Sequence, residues 1–306
     1  MEQIMRNMFL YMAKNQSANR LAKRYGLRFG ARRFVAGETV DNAVTKTKAL
    51  NEQGFKVTLD HLGESVFTRK EAEEAAKDCL RTLDAAAKEK LTVYLSIKLT
   101  QLGLDIDEAF CLEQVRGIVA RAAGYGYFVR IDIEDYAHNE ATLRLFNRVR
   151  SEFPDHIGLV IQACLYKSKK DVEVFGKEGV NLRLVKGAYK ESPRVAFPDK
   201  ADVDKNFIHL LEMHLTNGCF TAIATHDDTV IDHMKQFIAN RGIQKDQYEF
   251  QMLYGIRTQL QERLVREGYP VRVYVPFGRD WYAYFMRRLA ERPANVGFVL
   301  KSMFKS

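Results

Sequence analysis

The sequence predicts an α/β protein folded as a (β/α)8 TIM-type barrel with extra N-terminal helices. Three observations lead there. Eight short β-rich runs follow one another along the chain, each with a longer helical pattern behind it. Strands alternating with helices build βαβ units and a parallel sheet. The units occupy about 250 residues, the span of a closed barrel; a doubly wound open sheet is the alternative. Proline is scarce, with six in 306 residues, so no proline-rich linker divides the chain.

In order, the first fifty residues read as helices. "MRNMFLYMAK", "NRLAKRYGLRFG" and "TVDNAVTKTKALNEQG" carry helical apolar spacing, with Gly54 as the stop. They are expected to cap the barrel bottom or to serve assembly. The strands follow: "FKVTLDHL" (55–62), "TVYLSIKL" (92–99), "FVRIDIE" (128–134), "IGLVIQA" (157–163), "NLRLVKG" (181–187), "TAIATH" (221–226), "YEFQML" (248–253) and "VRVYVP" (271–276). Between them run helical patterns such as "TRKEAEEAAKDCLRTLDAAAKEK", "DEAFCLEQVRGIVARAAGYG" and "NEATLRLFNRVRSEF". The expected organisation is a helical segment over 1–54 packed on a catalytic barrel over 55–306, in a single domain overall.

Composition narrows the function classes. With 46% hydrophobic and 28% charged residues, extensive disorder is excluded. A net charge of +8 favours anionic partners, whether nucleic acid, acidic lipid or anionic metabolites. Cys79, Cys111, Cys164 and Cys219 form no CxxC pair and read as reduced thiols of a cytoplasmic protein. The N-terminus lacks the small-residue cleavage site of a signal peptide, and no apolar stretch reaches the length of a membrane span.

Active sites of such barrels lie at the C-terminal ends of the strands. Polar residues are dense there: Asp60, His61 and Glu64 after strand 1, Lys98 on strand 2, Asp132 and Glu134 on strand 3, and Gln162 on strand 4. Arg183 and Lys186 follow on strand 5, Thr225 and His226 on strand 6, and Tyr274 on strand 8. Buried charges are costly unless paired, so a ring of them signals a site more than packing. The strand interiors otherwise carry alternating apolar residues expected to fill the core. Near the C-terminus, "YFMRRLAER" (284–292) sets Arg287 beside Arg288 just before Glu291, and an anionic ligand would explain two adjacent guanidiniums.

Other patterns carry less. "GYGYFV" (124–129) precedes a strand, whereas a dinucleotide-binding fingerprint follows one and opens a helix. "HLLEMH" lacks the HExxH spacing, so His209 reads as surface and His214 as helix packing. "THDD" (225–228) is a poor metal site, because His61 and His226 lack the paired HxH arrangement; no metal is expected.

Taken together, the strand ends resemble the proline dehydrogenase family, FAD-containing enzymes that oxidise L-proline to Δ1-pyrroline-5-carboxylate. The resemblance covers about residues 55–300 and rests most on "RLVKGAY" (183–189), "ATHDD" (224–228), "YEFQMLYG" (248–255) and "YFMRRLAERPANVGFV" (284–299). "LDHLGE", "SIKLTQLG", "RIDIED" and "VIQACLY" support it. It implies the short, monofunctional form. It implies further that Arg287 and Arg288 grip the proline carboxylate, with Lys98 as a third cation and Glu64 and Glu291 pairing with the arginines. Planar guanidinium forks suit a carboxylate. Tyr274 and Tyr284 would pack around the ring, with Leu253 as an apolar wall.

By the same resemblance Arg183 lies near the flavin N5 and Asp132 balances the site's cations, the two forming the catalytic pair. Gln162 would meet the flavin ring, while Ile133, Val185, Lys186, Gly187, Ala188, Thr225 and His226 hold the rest of FAD. Asp227 in "THDD" departs from relatives and bears on those contacts. A quinone would accept the electrons, and the positive charge would help docking at the inner face of the membrane. An oligomer is compatible with the sequence. Two other classes stay open: a Schiff-base aldolase using Lys98 or Lys186, and a nucleic-acid binder, for which no aromatic-plus-basic module is present.

Overall fold

A computed structural model describes residues 8–9, 11–12, 31–63 and 66–291, with residue 291 described in its backbone alone. Eight strands form: β1 (Lys56–His61), β2 (Val93–Ile97), β3 (Phe128–Ile131), β4 (Ile157–Gln162), β5 (Leu182–Val185), β6 (Thr221–Ala224), β7 (Tyr248–Leu253) and β8 (Val271–Phe277). Each pairs in parallel with the next, and β8 closes on β1, so the sheet is a barrel and not the open alternative. Around it run α1 (Val40–Glu52), α2 (Arg69–Lys88), α3 (Glu108–Gly124), α4 (Tyr136–Arg150), α5 (Ser168–Lys177), α6 (Lys200–Thr216), α7 (Asp228–Arg241), α8 (Thr258–Arg266) and α9 (Trp281–Glu291).

The caps set where these helices begin. Thr68 and Glu71 form a reciprocal capping box at the start of α2, each side chain accepting the other's backbone N–H. Asp107, Asp135 and Asp227 cap α3, α4 and α7 by a one-way bond, each carboxylate accepting from first-turn backbone N–H groups. Because each helix starts soon after a strand ends, strand C-termini and helix N-termini share one rim.

Alternation along each strand divides the side chains into two sets. Val57, Leu59, Val93, Leu95, Ile97, Val129, Ile131, Leu159, Ile161, Leu182, Leu184, Phe250, Met252, Val271, Val273 and Val275 join one apolar cluster with the helices. That jacket is the main core; each such side chain contributes about 1.5–3 kcal/mol when buried. The other set faces the barrel interior, and there the expectation of apolar filling fails. The lower interior is charged: Glu249 and Arg272 are almost fully buried and paired, with Arg272 Nε donating to Glu249 Oε1 at 2.6 Å. Arg272 also donates to Val57 O at 2.8 Å and lies 3.4 Å from the centre of the Tyr94 ring. Arg130 donates to the carbonyls of Leu159 and Asn181 and to the Asn181 side chain. Gly158 makes room for it, since a Cβ there would stand 2.6 Å from Arg130 Nη1.

The described part of the N-terminal segment lies at the mouth and along the barrel wall, not across the bottom. Ala36 N–H donates to Pro276 O at the top of β8, Gly278 N–H donates to Gly37 O, and the Trp281 indole donates to Glu38. Phe34 and Val35 are buried against Trp281, Phe285 and Leu289 of α9. Met8, Phe9, Tyr11 and Met12 are helical; the expected helix over 19–30 lies outside the described residues. His214 is buried against β6, its Nδ1 2.7 Å from Thr221 Oγ1, and His209 is exposed, as the spacing implied.

Candidate active site

Inward-facing positions at the upper ends of β1, β2, β3, β5 and β8 bring Asp60, Ser96, Lys98, Asp132, Arg183 and Tyr274 into one hydrogen-bonded group. Asp132 is its centre. Its carboxylate pairs with Arg183, accepts from Ser96 Oγ at 2.6 Å and from the Tyr274 hydroxyl at 2.7 Å, and lies 3.1 Å from Lys98 Nζ. Lys98 also donates to Asp60 at 2.8 Å. The Arg183 guanidinium stands 5.3 Å from the Tyr274 ring centre.

Electrostatics fix the protonation states. Burial alone would raise the Asp132 pKa, but Arg183, then Lys98, with the hydroxyls of Ser96 and Tyr274, lower it to about 2. Burial would lower that of Lys98, but Asp60, Tyr274 and Asp132 outweigh it and hold the ammonium well above the usual lysine range. Burial, then Asp132 and Asp60, push the Tyr274 phenol up. Lys98 is therefore a locked cation. A Schiff-base lysine needs a free amine, so this geometry speaks against the aldolase reading. Lys186 is held in the same way between Asp204 at 2.6 Å and Asp227 at 2.7 Å.

Above this group, α9 contributes the paired arginines, which differ in setting. Arg288 is buried and stacks its guanidinium 4.9 Å from the ring of Tyr284, one turn earlier and also buried. Arg287 is exposed, and the Tyr189 phenol at the mouth lies within electrostatic reach of it, of Lys98, of Glu134 and of Asp132. Leu253, at the top of β7, packs against the cluster that holds Tyr284. Glu64 and the side chain of Glu291 lie outside the described residues, and so do the ion pairs expected of them.

The ends of β4, β5 and β6 are more open. Gln162 is buried; its Nε2 donates to Glu134 O at 2.9 Å, while its Oε1 is buried with no donor. Ile133, one residue before Glu134, is buried, and Val185, Gly187 and Ala188 grade from half-buried to exposed. Gly187 has φ +113°, and a Cβ there would stand 2.4 Å from Cys164 Sγ, so glycine is required and its backbone is bare. Thr225 Oγ1 accepts from Asp227 N–H, and His226 Nε2 accepts from Leu253 N–H at 2.9 Å, leaving that ring nitrogen unprotonated. Arg257 ties this loop down through Asp228 and His226 O.

The sequence reading gave no role to Ser96, Glu249, Gln251 or Arg272, and named Asp60 only as one of the polar strand ends. The available signal was period-two alternation in "YLSIK", "EFQML" and "VRVYV": the polar positions share one parity, and that parity faces inward. Among the described residues no group of histidine, cysteine and carboxylate side chains is arranged to hold a metal, and no helix is long and apolar enough to cross a membrane.

The family model for proline dehydrogenase matches residues 43–301. Proline dehydrogenase 1 of Bacillus subtilis (strain 168) is 48% identical over 302 residues, covering 99% of this chain and 100% of that protein. Proline dehydrogenase of Deinococcus radiodurans is 43% identical, with 99% of each chain covered. Among solved structures, proline utilization A from Bdellovibrio bacteriovorus, inactivated by N-propargylglycine, superposes with a TM-score of 0.79 at 28% identity. The match covers 85% of this chain and 32% of that longer one.

Proposed function

Because this chain belongs to the proline dehydrogenase family, we propose that its site oxidises L-proline to Δ1-pyrroline-5-carboxylate with FAD as hydride acceptor and a quinone as the eventual electron acceptor. It is an enzyme of the first step of proline catabolism.

Lys98 and Arg183 stand beneath a mouth that carries Arg287 and Arg288, so four cationic side chains gather at one end of the barrel. This gathering is the observation that carries the reading, because a carboxylate is the ligand group such a cluster suits. Arg288, held in plane by Tyr284, binds that carboxylate from the buried side; Arg287 closes from the exposed side, and Lys98 attracts it from below. Tyr274, Tyr284 and Leu253 enclose an apolar ring without polar substituents. Asp132 keeps Arg183 and Lys98 charged and fixed as the reaction proceeds.

Three features support the cofactor. The buried Gln162 Oε1 asks for a donor such as a ring N–H, Gly187 offers bare backbone, and the half-open ends of β5 and β6 leave room for an extended nucleotide. Gln162 and Arg183 would face the ring system, with Ile133, Val185, Lys186, Gly187, Ala188, Thr225 and His226 along the remainder. FAD, when bound, supplies two-electron oxidation of the substrate C–N bond. The reading takes 55–306 as the catalytic barrel and 1–54 as a helical segment packed on it. It sets the protein in the cytoplasm, with the net charge of +8 favouring peripheral contact with the anionic inner face of the membrane, where quinone resides. An anaerobic visible spectrum tests the core of this: purified protein should be yellow and bleach with L-proline. A protein that neither carries nor takes up FAD would end the reading. Failure to bind anionic liposomes would end the membrane part alone.

A further inference from the structure

We infer that Gln251 is a positioning residue for Arg183, with Glu249 setting which way its amide points. The inference rests on the reading of Arg183 as the cation beside the flavin. Glu249, Gln251 and Arg183 form a column through the middle of the barrel. Glu249 is fully buried; Arg272 donates to both its oxygens, at 2.6 and 3.2 Å, and Lys56 lies 3.6 Å away. Two cations keep it ionised, and its pKa is lowered against the effect of burial. An ionised carboxylate only accepts hydrogen bonds. Gln251 must therefore turn its amide nitrogen toward Glu249, and Nε2 donates to Oε1 at 2.7 Å. Its carbonyl oxygen is left facing upward, 3.5 Å from Arg183 Nη1.

That contact is at the outer limit of a hydrogen bond, so alignment matters more than strength. Arg183 is gripped at Nη2 by Asp132, with Ser96 Oγ at 3.4 Å from the same nitrogen. A guanidinium held at one corner can still swing about it. A second acceptor at Nη1 fixes the plane, here over the Tyr274 ring. Gln251 touches no position assigned to substrate, and it is 4% exposed, so its influence runs through Arg183.

The test compares four holoenzymes: the parent, Gln251→Met, Arg183→Met and the double variant. The readouts are flavin midpoint potential, visible spectrum, and kcat and KM for L-proline. Gln251→Met should weaken the preference for reduced over oxidised flavin about tenfold, which is about 30 mV for a two-electron couple. The value of kcat should fall while KM for L-proline stays within about twofold, because the carboxylate grip is elsewhere. In the double variant the potential should match that of Arg183→Met alone. An additive shift there, or an unshifted Gln251→Met, overturns the inference while leaving the flavin reading intact. An unshifted Arg183→Met removes the flavin reading of that residue, and the inference with it. Should Gln251→Met fail to fold, Gln251→Asn draws the amide back by one methylene while keeping its polarity. It should shift the potential in the same direction by less, and no shift counts against the inference in the same way.

Discussion

The lower and upper halves of the barrel interior use the same residue types in the same alternation and do opposite things with them. Below, Arg272, Glu249 and Arg130 are closed off by one another, by main-chain carbonyls and by the Tyr94 and Phe128 rings. Above, Asp60 and Asp132 hold Lys98 and Arg183, while Gln162 keeps an amide oxygen without a donor and Arg287 reaches solvent. Charge inside a barrel is therefore not by itself a sign of function. What separates a structural plug from a site is access: Arg130 Nε also lacks a hydrogen-bond partner, but it is shut inside the barrel, whereas the upper groups lie at the mouth. The upper half ends in the residues that would meet a ligand, and one layer, Gln251, joins the two.

The largest expected effect breaks the lower half. Replacing Arg272 with Leu leaves Glu249 buried with Lys56 at 3.6 Å as its remaining cation. Removing one member of a buried pair costs about 3–5 kcal/mol. Urea denaturation should show that loss, with L-proline affinity of the folded fraction little changed. Next comes the upper half. Arg288→Met should lower kcat/KM for L-proline by a factor equivalent to about 2–3 kcal/mol, chiefly through KM, while FAD affinity and the urea midpoint stay near the parent values. Equal losses of proline and FAD binding would mean that Arg288 is not the carboxylate grip. A stability loss as large as that of Arg272→Leu would erase the distinction between the halves.

Much of this arrangement is legible in the sequence. All eight strands fall where β-rich runs alternate with helical ones, because turn and cap chemistry marks each boundary locally. The upper ring was legible too, since a barrel places strand C-termini together. The lower plug was not. In an ordinary barrel the inward layers are apolar, and Arg130, Glu249 and Arg272 look like surface residues unless their parity is matched to that of Asp132, Gln251 and Tyr274. The arginine pair was read as one feature, yet its members differ in burial, because successive helix residues point about 100° apart. The N-terminal segment is less legible for another reason: amphipathic spacing shows that a helix packs, but not where, and the described residues 31–38 lie at the mouth.

Acid separates the halves by a smaller amount. The Asp132 pKa is about 2, against 3.8 for an ordinary aspartate. A depressed carboxylate stabilises the fold above its unfolded pKa and loses that contribution as pH falls through the folded one. The expected loss is of order 2 kcal/mol between about pH 4 and pH 2. Comparison of urea midpoints at pH 5 and pH 3 should give a shallower slope for Asp132→Asn than for the parent. Glu249, also lowered, keeps contributing in that variant. An unchanged slope would mean that Arg183 and Lys98 do not hold Asp132 ionised.

The smallest effects come from one glycine in each half. A Cβ at Gly158 would meet Arg130 Nη1 at 2.6 Å and Asn181 O at 2.7 Å, and one at Gly187 would meet Cys164 Sγ at 2.4 Å on a backbone at φ +113°. Each alanine substitution should therefore cost of order 1 kcal/mol through crowding or strain. Their consequences differ by location. Gly158→Ala pushes on a guanidinium inside the closed plug, so the urea midpoint should drop while FAD dissociation stays unchanged. Gly187→Ala moves a half-open strand end that faces the proposed nucleotide, so FAD should dissociate several-fold more readily for a similar loss of stability. Titration of apoprotein with FAD reads this directly. If the two variants lost FAD equally, openness at the upper rim would not be what marks the site, and the contrast between the halves would reduce to one of burial.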